Sequence, residues 1–170
     1  MAGDGFDPIA EASRQWVAHG WKAAAPGMAF VTSVMRVRQI LLSAVEGVLR
    51  PFDLTFARFE ILALLEFSRH GALPMGKVGD RLQVHPTSVS SAVSRLERQG
   101  FARREAHPTD GRTVLVAITP DGRRTVRAAA AALNRAVFEA LPLAADDLTA
   151  GTSVLTALRA NTGDLRPPGA

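Results

Sequence analysis

The stretch that most restricts this chain is residues 73–122, LPMGKVGDRLQVHPTSVSSAVSRLERQGFARREAHPTDGRTVLVAITPDG. Its hydrophobic period changes part-way along. Before Gly100, helical spacing marks a short segment over 75–82 and a longer one over 86–99, separated by Gln83-Val84-His85. Pro86 suits a first helical turn, and Gly100 a stop. Beyond Gly100, residues 101–106 and 113–119 are β-prone, and the intervening His107-Pro108-Thr109-Asp110-Gly111 carries turn chemistry. Two helices at a tight turn, then a two-stranded hairpin, is the order of a helix-turn-helix with a wing. That arrangement holds duplex DNA.

The flanks are helical. Residues 9–20 predict a short amphipathic helix with Ile9, Trp16 and Val17 as its apolar members, broken by Gly20 and Pro26-Gly27. A long helix follows over 28–49, ended by Pro51. Asp53 or Thr55 can cap the next, over 56–67, which is apolar nearly all round and so suited to a central position. After the hairpin, Thr119 caps an alanine-rich helix with Pro120 in its first turn, running to about Leu141 and stopped by Pro142. Asp146-Asp147 opens a last helix to about Ala160. The expected fold is mainly α with a small β-hairpin: a winged helix-turn-helix module plus N- and C-terminal helices that form a dimerisation body.

The corresponding division is an N-terminal extension with a short helix (1–26), a dimerisation helix (27–54), the winged DNA-binding module (55–119), C-terminal dimerisation helices (120–161) and a flexible tail (162–170). The flanking helices carry more apolar surface than one small module can cover. Packing against a second copy accounts for them, and an intrachain bundle is the alternative.

At 170 residues the chain can bury a core. It has no cysteine, which excludes disulfides, thiol catalysis and cysteine-ligated zinc. His19, His70, His85 and His107 lack metal-ligand spacing, so no metal or cofactor is expected. The net charge is +4, but between Met75 and Arg127 ten basic residues face five acidic ones, leaving the remainder at −1. Positive charge is therefore concentrated where phosphates would lie. The start, MAGDGFDP, lacks the basic and apolar runs of a signal peptide, and charge interrupts the apolar stretches before a spanning length, so the expectation is a cytoplasmic protein with no membrane partner.

A recognition helix needs small hydrogen-bonding side chains at its N-terminal end, where it enters the major groove. Thr87, Ser88, Ser90 and Ser91 provide hydroxyls there, with Val89, Val93 and Leu96 on the packing face and Arg95 and Arg98 free to reach phosphates. An ordinary serine-rich surface cap would look the same without the hairpin that follows. Arg112, beside the hairpin tip, can enter a minor groove; a plain exposed turn is the other reading. Asp110 is placed to pair with a nearby arginine and hold the tip.

These residues resemble the MarR family of bacterial winged helix-turn-helix regulators over about 28–159. DGRTVLVAITPDGR is similar to the family's D-x-R-x-x-x-V-x-L-T wing followed by P-x-G, with Ile118 for the usual Leu. LERQGFARR is similar to its strand entry, with Phe101 for Leu. The resemblance implies a homodimer whose two modules bind double-stranded DNA at a pseudo-palindromic site, usually in repression. It also implies an effector held between dimer body and DNA module.

One branch of the family senses urate through an N-terminal tryptophan, an acidic residue in the helix before the helix-turn-helix, and an arginine at the first wing strand. Trp16, Glu60 and Arg103 fall at similar places, but Glu60 replaces Asp, and Ser91 stands where that branch has an anion-gripping arginine. Urate itself is therefore disfavoured, while another small anionic or aromatic effector stays open. Packing is the other role for Trp16 and Trp21. A buried Glu60 needs a partner. Arg103 is the candidate, and the pair could equally be structural. An architectural binder without sequence choice or effector is the alternative function. An enzyme finds no support, since phosphate loop, nucleophile elbow, HExxH and cysteine nucleophile are all missing from the sequence.

Overall fold

Side chains cap the starts of four of the described α-helices. The computed structural model of the protein describes residues 5–83, 85–110 and 112–165. Helix α1 (Pro8–Ala18) starts where the Asp7 carboxylate accepts the Ile9 N–H at 2.9 Å. Helix α2 (Ala25–Leu49) runs into one 3-10 turn, Arg50–Phe52. Thr55 caps α3 (Phe56–Phe67), accepting from the Arg58 N–H. Strand β1 (Ala72–Pro74) and α4 (Met75–Leu82) lead to α5 (Pro86–Arg98), then β2 (Ala102–Ala106) and β3 (Val114–Ile118). Thr119 caps α6 (Pro120–Leu133), whose backbone widens into a π turn over Asn134–Phe138, and α7 (Ala145–Asn161) closes the described chain.

The mainly helical class with a small sheet is as expected, with four differences of detail. Pro26 does not break the chain before α2 but sits in its first turn, where its missing N–H had no helical partner to lose. The sheet has three antiparallel strands in the order β1-β3-β2, not two; Val116 is flanked by Leu73 and Arg104. At three residues, β1 is too short to show a period. The helix expected to reach Leu141 leaves α geometry at Asn134. Finally, Arg36, Arg38 and Glu46 do not keep α2 from passing as a span: an 18-residue window within Ala25–Phe52 has a mean hydropathy of 1.4, long and apolar enough to cross a membrane by length and composition alone. Only Ala25, Val45 and Leu49 of α2 are buried, while Met35 and Ile40 are more than half exposed.

Helix α3 is the centre of the core. Its Ile61, Leu62 and Leu65 pack with Leu49 of α2, Val89, Val93 and Leu96 of α5, Val116 of β3, and Val126, Ala129 and Leu133 of α6. Glu66 ties α3 to α6 by pairing with Arg123 (2.5 Å) and Arg127 (2.6 Å). By contrast α7 buries no residue, and Val154, Leu155 and Leu158 stand exposed on it. Within the segment expected to be a loose tail, the Asp164 carbonyl accepts from Gln83 Nε2 at 2.6 Å; residues 166–170 lie outside the described residues.

The end of α5 and the starts of β2 and α6 meet at Phe101. Its carbonyl accepts the Thr119 N–H at 3.0 Å, while the Thr119 hydroxyl donates to the Gly100 carbonyl at 2.7 Å and accepts the Gly122 N–H at 3.0 Å. A Cβ at residue 122 would lie 2.1 Å from the Phe101 oxygen, a backbone atom that cannot swing away. Only glycine fits the P-D-G position. Gly122→Ala should therefore destabilise the protein by about 1–3 kcal/mol, read as a lowered midpoint in urea unfolding; an unchanged midpoint would show that the two backbones can part freely.

Candidate nucleic-acid interface

Helix α5 presents two unlike faces. Val89, Val93 and Leu96 are buried, while Thr87, Ser88, Ser90, Ser91, Arg95 and Arg98 are all exposed. His85, expected as a turn element, is the N-cap, its Nδ1 accepting the Thr87 N–H at 3.3 Å. Packing thus fixes the helix from behind and leaves a row of hydroxyls and cations facing outward.

The wing is clipped to this helix. Arg104 on β2 pairs with Glu97 of α5 and donates to the Ser94 hydroxyl (3.0 Å) and the Ser90 carbonyl (3.3 Å), while the Arg104 N–H donates to Glu97 Oε1 (2.9 Å). At the tip, Asp110 Oδ2 accepts from the Thr113 hydroxyl at 2.6 Å and Oδ1 from the Arg112 N–H at 3.0 Å. Asp110 does hold the tip, but through the backbone of Arg112 and not through an arginine side chain as expected. A carboxylate two residues before an N–H reaches it without help, which leaves the guanidinium outward. The Thr113 hydroxyl, then the Arg112 N–H, hold the Asp110 carboxyl below its usual range. The tip contribution is thus full above that range and lost as pH falls through the lowered value. Gly111 lies outside the described residues.

Arg112 is exposed, and none of the ion pairs among the described residues uses Arg95, Arg98 or Arg112. Unpaired cations therefore occur on both α5 and the wing. A groove between α4 and the wing is lined by Lys77, Asp80, Arg104, His107 and Arg112 among others. A second concavity, between the start of α3 and α5, is lined by Thr55, Arg58, Thr87, Ser88, Ser91, Ala92, Arg95 and Arg98.

Three residues expected to share an effector pocket are not brought together by any hydrogen bond or ion pair among the described residues. Arg103 pairs with Glu105 two residues along its own strand, at 2.5 Å, and not with Glu60. Alternate residues of a strand share a face, so Glu105 is the nearer carboxylate. Trp16 meets Trp21 edge-to-face at 5.3 Å, and Trp21 stacks on His19 at 5.9 Å, which places Trp16 against the linker between α1 and α2. Glu60 is half-buried on α3 with no partner among the described residues, and burial pushes its carboxyl up.

Sequence reading missed Arg58 and gave no role to Lys77 or Arg104. Arg58 is held by Gln99, 41 residues away, at 2.8 Å, a separation that carries no local signal. The spacing of Glu97 and Arg104 across Gly100 lay within the quoted motif, and pairing across a turn could have been read from it.

The fold and the LERQGFARR and DGRTVLVAIT motifs can now be set beside known proteins. A sequence model of the MarR family matches residues 52–113. Sco5413, a MarR family transcriptional regulator from Streptomyces coelicolor, is 44 % identical, covering 84 % of this chain and 99 % of that one, with a TM-score of 0.76. The chain belongs to the MarR family. An HTH-type transcriptional regulator of Mycobacterium leprae is 35 % identical over 82 residues, a match that spans 48 % of this chain and 57 % of that protein. Sco3205, another MarR family transcriptional regulator of Streptomyces coelicolor, solved in complex with DNA, is 23 % identical. It shares the fold over 83 % of this chain and 88 % of that one, with a TM-score of 0.67. All three of these relatives are transcriptional regulators.

The lone Glu60 has a measurable consequence. A raised carboxyl pKa means the folded state holds the proton more tightly, so this stability is full below the ordinary glutamate range and lost as pH rises through the raised value. Glu60→Gln cannot ionise. Its melting temperature should exceed that of the wild type at pH 7.5 and match it at pH 4; an equal offset at both would show that Glu60 does not titrate on folding.

Proposed function

We propose that this MarR protein is a sequence-specific DNA-binding regulator, acting as a homodimeric repressor on a pseudo-palindromic operator in the cytoplasm. The observation that carries this reading is the outward face of α5, hydroxyl-rich and bearing Arg95 and Arg98 without carboxylate partners, beside a wing clipped to the same helix by Arg104. In the interface we place Thr87, Ser88, Ser90 and Ser91 at the DNA, where a hydroxyl can meet a base edge or a phosphate oxygen, Arg95 and Arg98 against phosphates, and Arg112 in the flanking minor groove, with Asp110 shaping the tip. Sco3205, which shares this fold, was solved in complex with DNA, which supports DNA as the partner.

The partner implied by the flanking helices is a second copy. The exposed Met35 and Ile40 on α2 and Val154, Leu155 and Leu158 on α7 would otherwise face water. The division into extension, dimerisation helices, winged module and tail follows the same logic. Two copies hold two recognition helices at a fixed separation, and DNA affinity depends on that separation matching about one helical turn. A small anionic or aromatic effector would act by binding one separation better than the other. Glu60 is its candidate contact on α3, a half-buried carboxyl with no partner among the described residues, which can donate to an anion when protonated. Trp16 and Arg103 would contribute only if dimerisation or the ligand regrouped them.

Selection from a randomised duplex library, followed by anisotropy titration, tests this reading. The expected result is an enriched pseudo-palindrome, bound at least about a thousandfold more tightly than scrambled duplex, with Arg112→Ala weakening binding through the flanks. Salt-governed binding without enrichment would make the protein an architectural binder.

A further inference from the structure

We propose that the concavity between the start of α3 and the outer face of α5 seats one phosphodiester of the DNA backbone, with Arg58 as its fixed cation. This rests on the reading of α5 as the recognition helix, and it assigns a DNA contact to a helix outside the helix-turn-helix and the wing.

The lining determines the chemistry. Among the described residues, three guanidinium groups (Arg58, Arg95 and Arg98) and four hydroxyls (Thr55, Thr87, Ser88 and Ser91) border the concavity, and no carboxylate does. Ala92 is its one apolar side chain, so a base would find neither an aromatic platform nor a hydrophobic wall. Phosphate oxygens accept hydrogen bonds and carry the charge these donors lack.

Arg58 differs from the other arginines of the fold in how it is held. Its Nε–H donates to the Thr55 hydroxyl at 3.3 Å and its Nη1–H to Gln99 Oε1 at 2.8 Å. Gln99 is itself anchored: its Nε2 donates to the Asp53 carbonyl and to Asp53 Oδ2, both at 2.7 Å. Both acceptors of Arg58 are neutral. They orient the guanidinium without cancelling its charge, and its Nη2 group has no partner among the described residues. Arg103, Arg104, Arg123 and Arg127 instead each meet a glutamate. A half-buried cation with its fork fixed and its charge uncompensated has already lost most of the side-chain freedom that binding would cost. Gln99 is the positioning residue in this arrangement, and Asp53, in the left-handed region at φ 52°, positions Gln99.

A backbone contact has a signature that base readout lacks. Each neutralised phosphate contributes about 0.9 to the slope of log K against log salt, whatever the sequence. The test is anisotropy titration of the full-length protein on its selected duplex and on scrambled duplex, from 50 to 300 mM KCl, for the wild type, Arg58→Gln, Arg58→Lys and Lys22→Gln. Lys22, an exposed residue between α1 and α2, controls for net charge. Melting temperature confirms that each variant is folded.

The expected result is that Arg58→Gln lowers the slope by about 0.9 on both duplexes and weakens both about tenfold, with the ratio between them unchanged. Arg58→Lys should keep the slope and lose part of the affinity, because an ammonium retains charge but not the fork. A slope for Arg58→Gln equal to that of Lys22→Gln would overturn the phosphate seat, as would a loss confined to the selected duplex. The first of these does not depend on operator preference. A wild type that does not discriminate the two duplexes contradicts the regulator reading, yet its slope on scrambled DNA still decides the role of Arg58.

Discussion

The carbonyl of Phe101 is the point on which this architecture turns. The recognition helix ends just before it and the first wing strand begins just after it. The second wing strand ends at Ile118, beside Thr119, which donates to it, and α6 starts with Gly122 pressed against it. Four elements therefore take their relative directions from one residue, and the two that would meet DNA are fixed to the helix that leaves the module. The proposed function, which works through spacing, would require such a junction. If α6 could pivot against α5, a change in the body of the molecule would be absorbed before reaching the recognition helix. A short, backbone-locked junction leaves no such slack.

The arginines divide into two groups by what they meet. Arg104 faces Glu97, and Arg123 and Arg127 share Glu66; these pairs join wing to recognition helix and α3 to α6. Among the described residues, Arg95, Arg98 and Arg112 meet no carboxylate, and Arg58 meets only neutral acceptors. Surface pairs of the first kind stabilise little, so their value lies in geometry: they set the angle at which the second group is presented. The concentration of positive charge in residues 75–127 is thus not uniform cover. Part of it is neutralised scaffold, and the rest faces outward.

Local rules made much of this legible. The caps at Thr55 and Thr119, the helical period of α3 and α5, and the β-prone run of β3 gave the class and most boundaries, because each depends on residues within a few positions of one another. The buried Val89, Val93 and Leu96 and the exposed hydroxyls of α5 followed from the same period. What stayed hidden depends on distance in sequence. The pairing of β1 with β3, the hold of Gln99 on Arg58 and the close approach of Gly122 to Phe101 are made by the tertiary fold. The proposed Glu60–Arg103 pair failed for the same reason in reverse: proximity across the fold was inferred, while Glu105 lay two residues from Arg103 on the same strand face.

The central claim is that two winged modules, held at one separation by the flanking helices, grip one face of a duplex. Hydroxyl-radical footprinting on the selected duplex reads this directly. The account predicts two protected segments about one helical turn apart, related by two-fold symmetry and each flanked outward by minor-groove protection from a wing. A single protected segment, or even protection without helical phase, would contradict it.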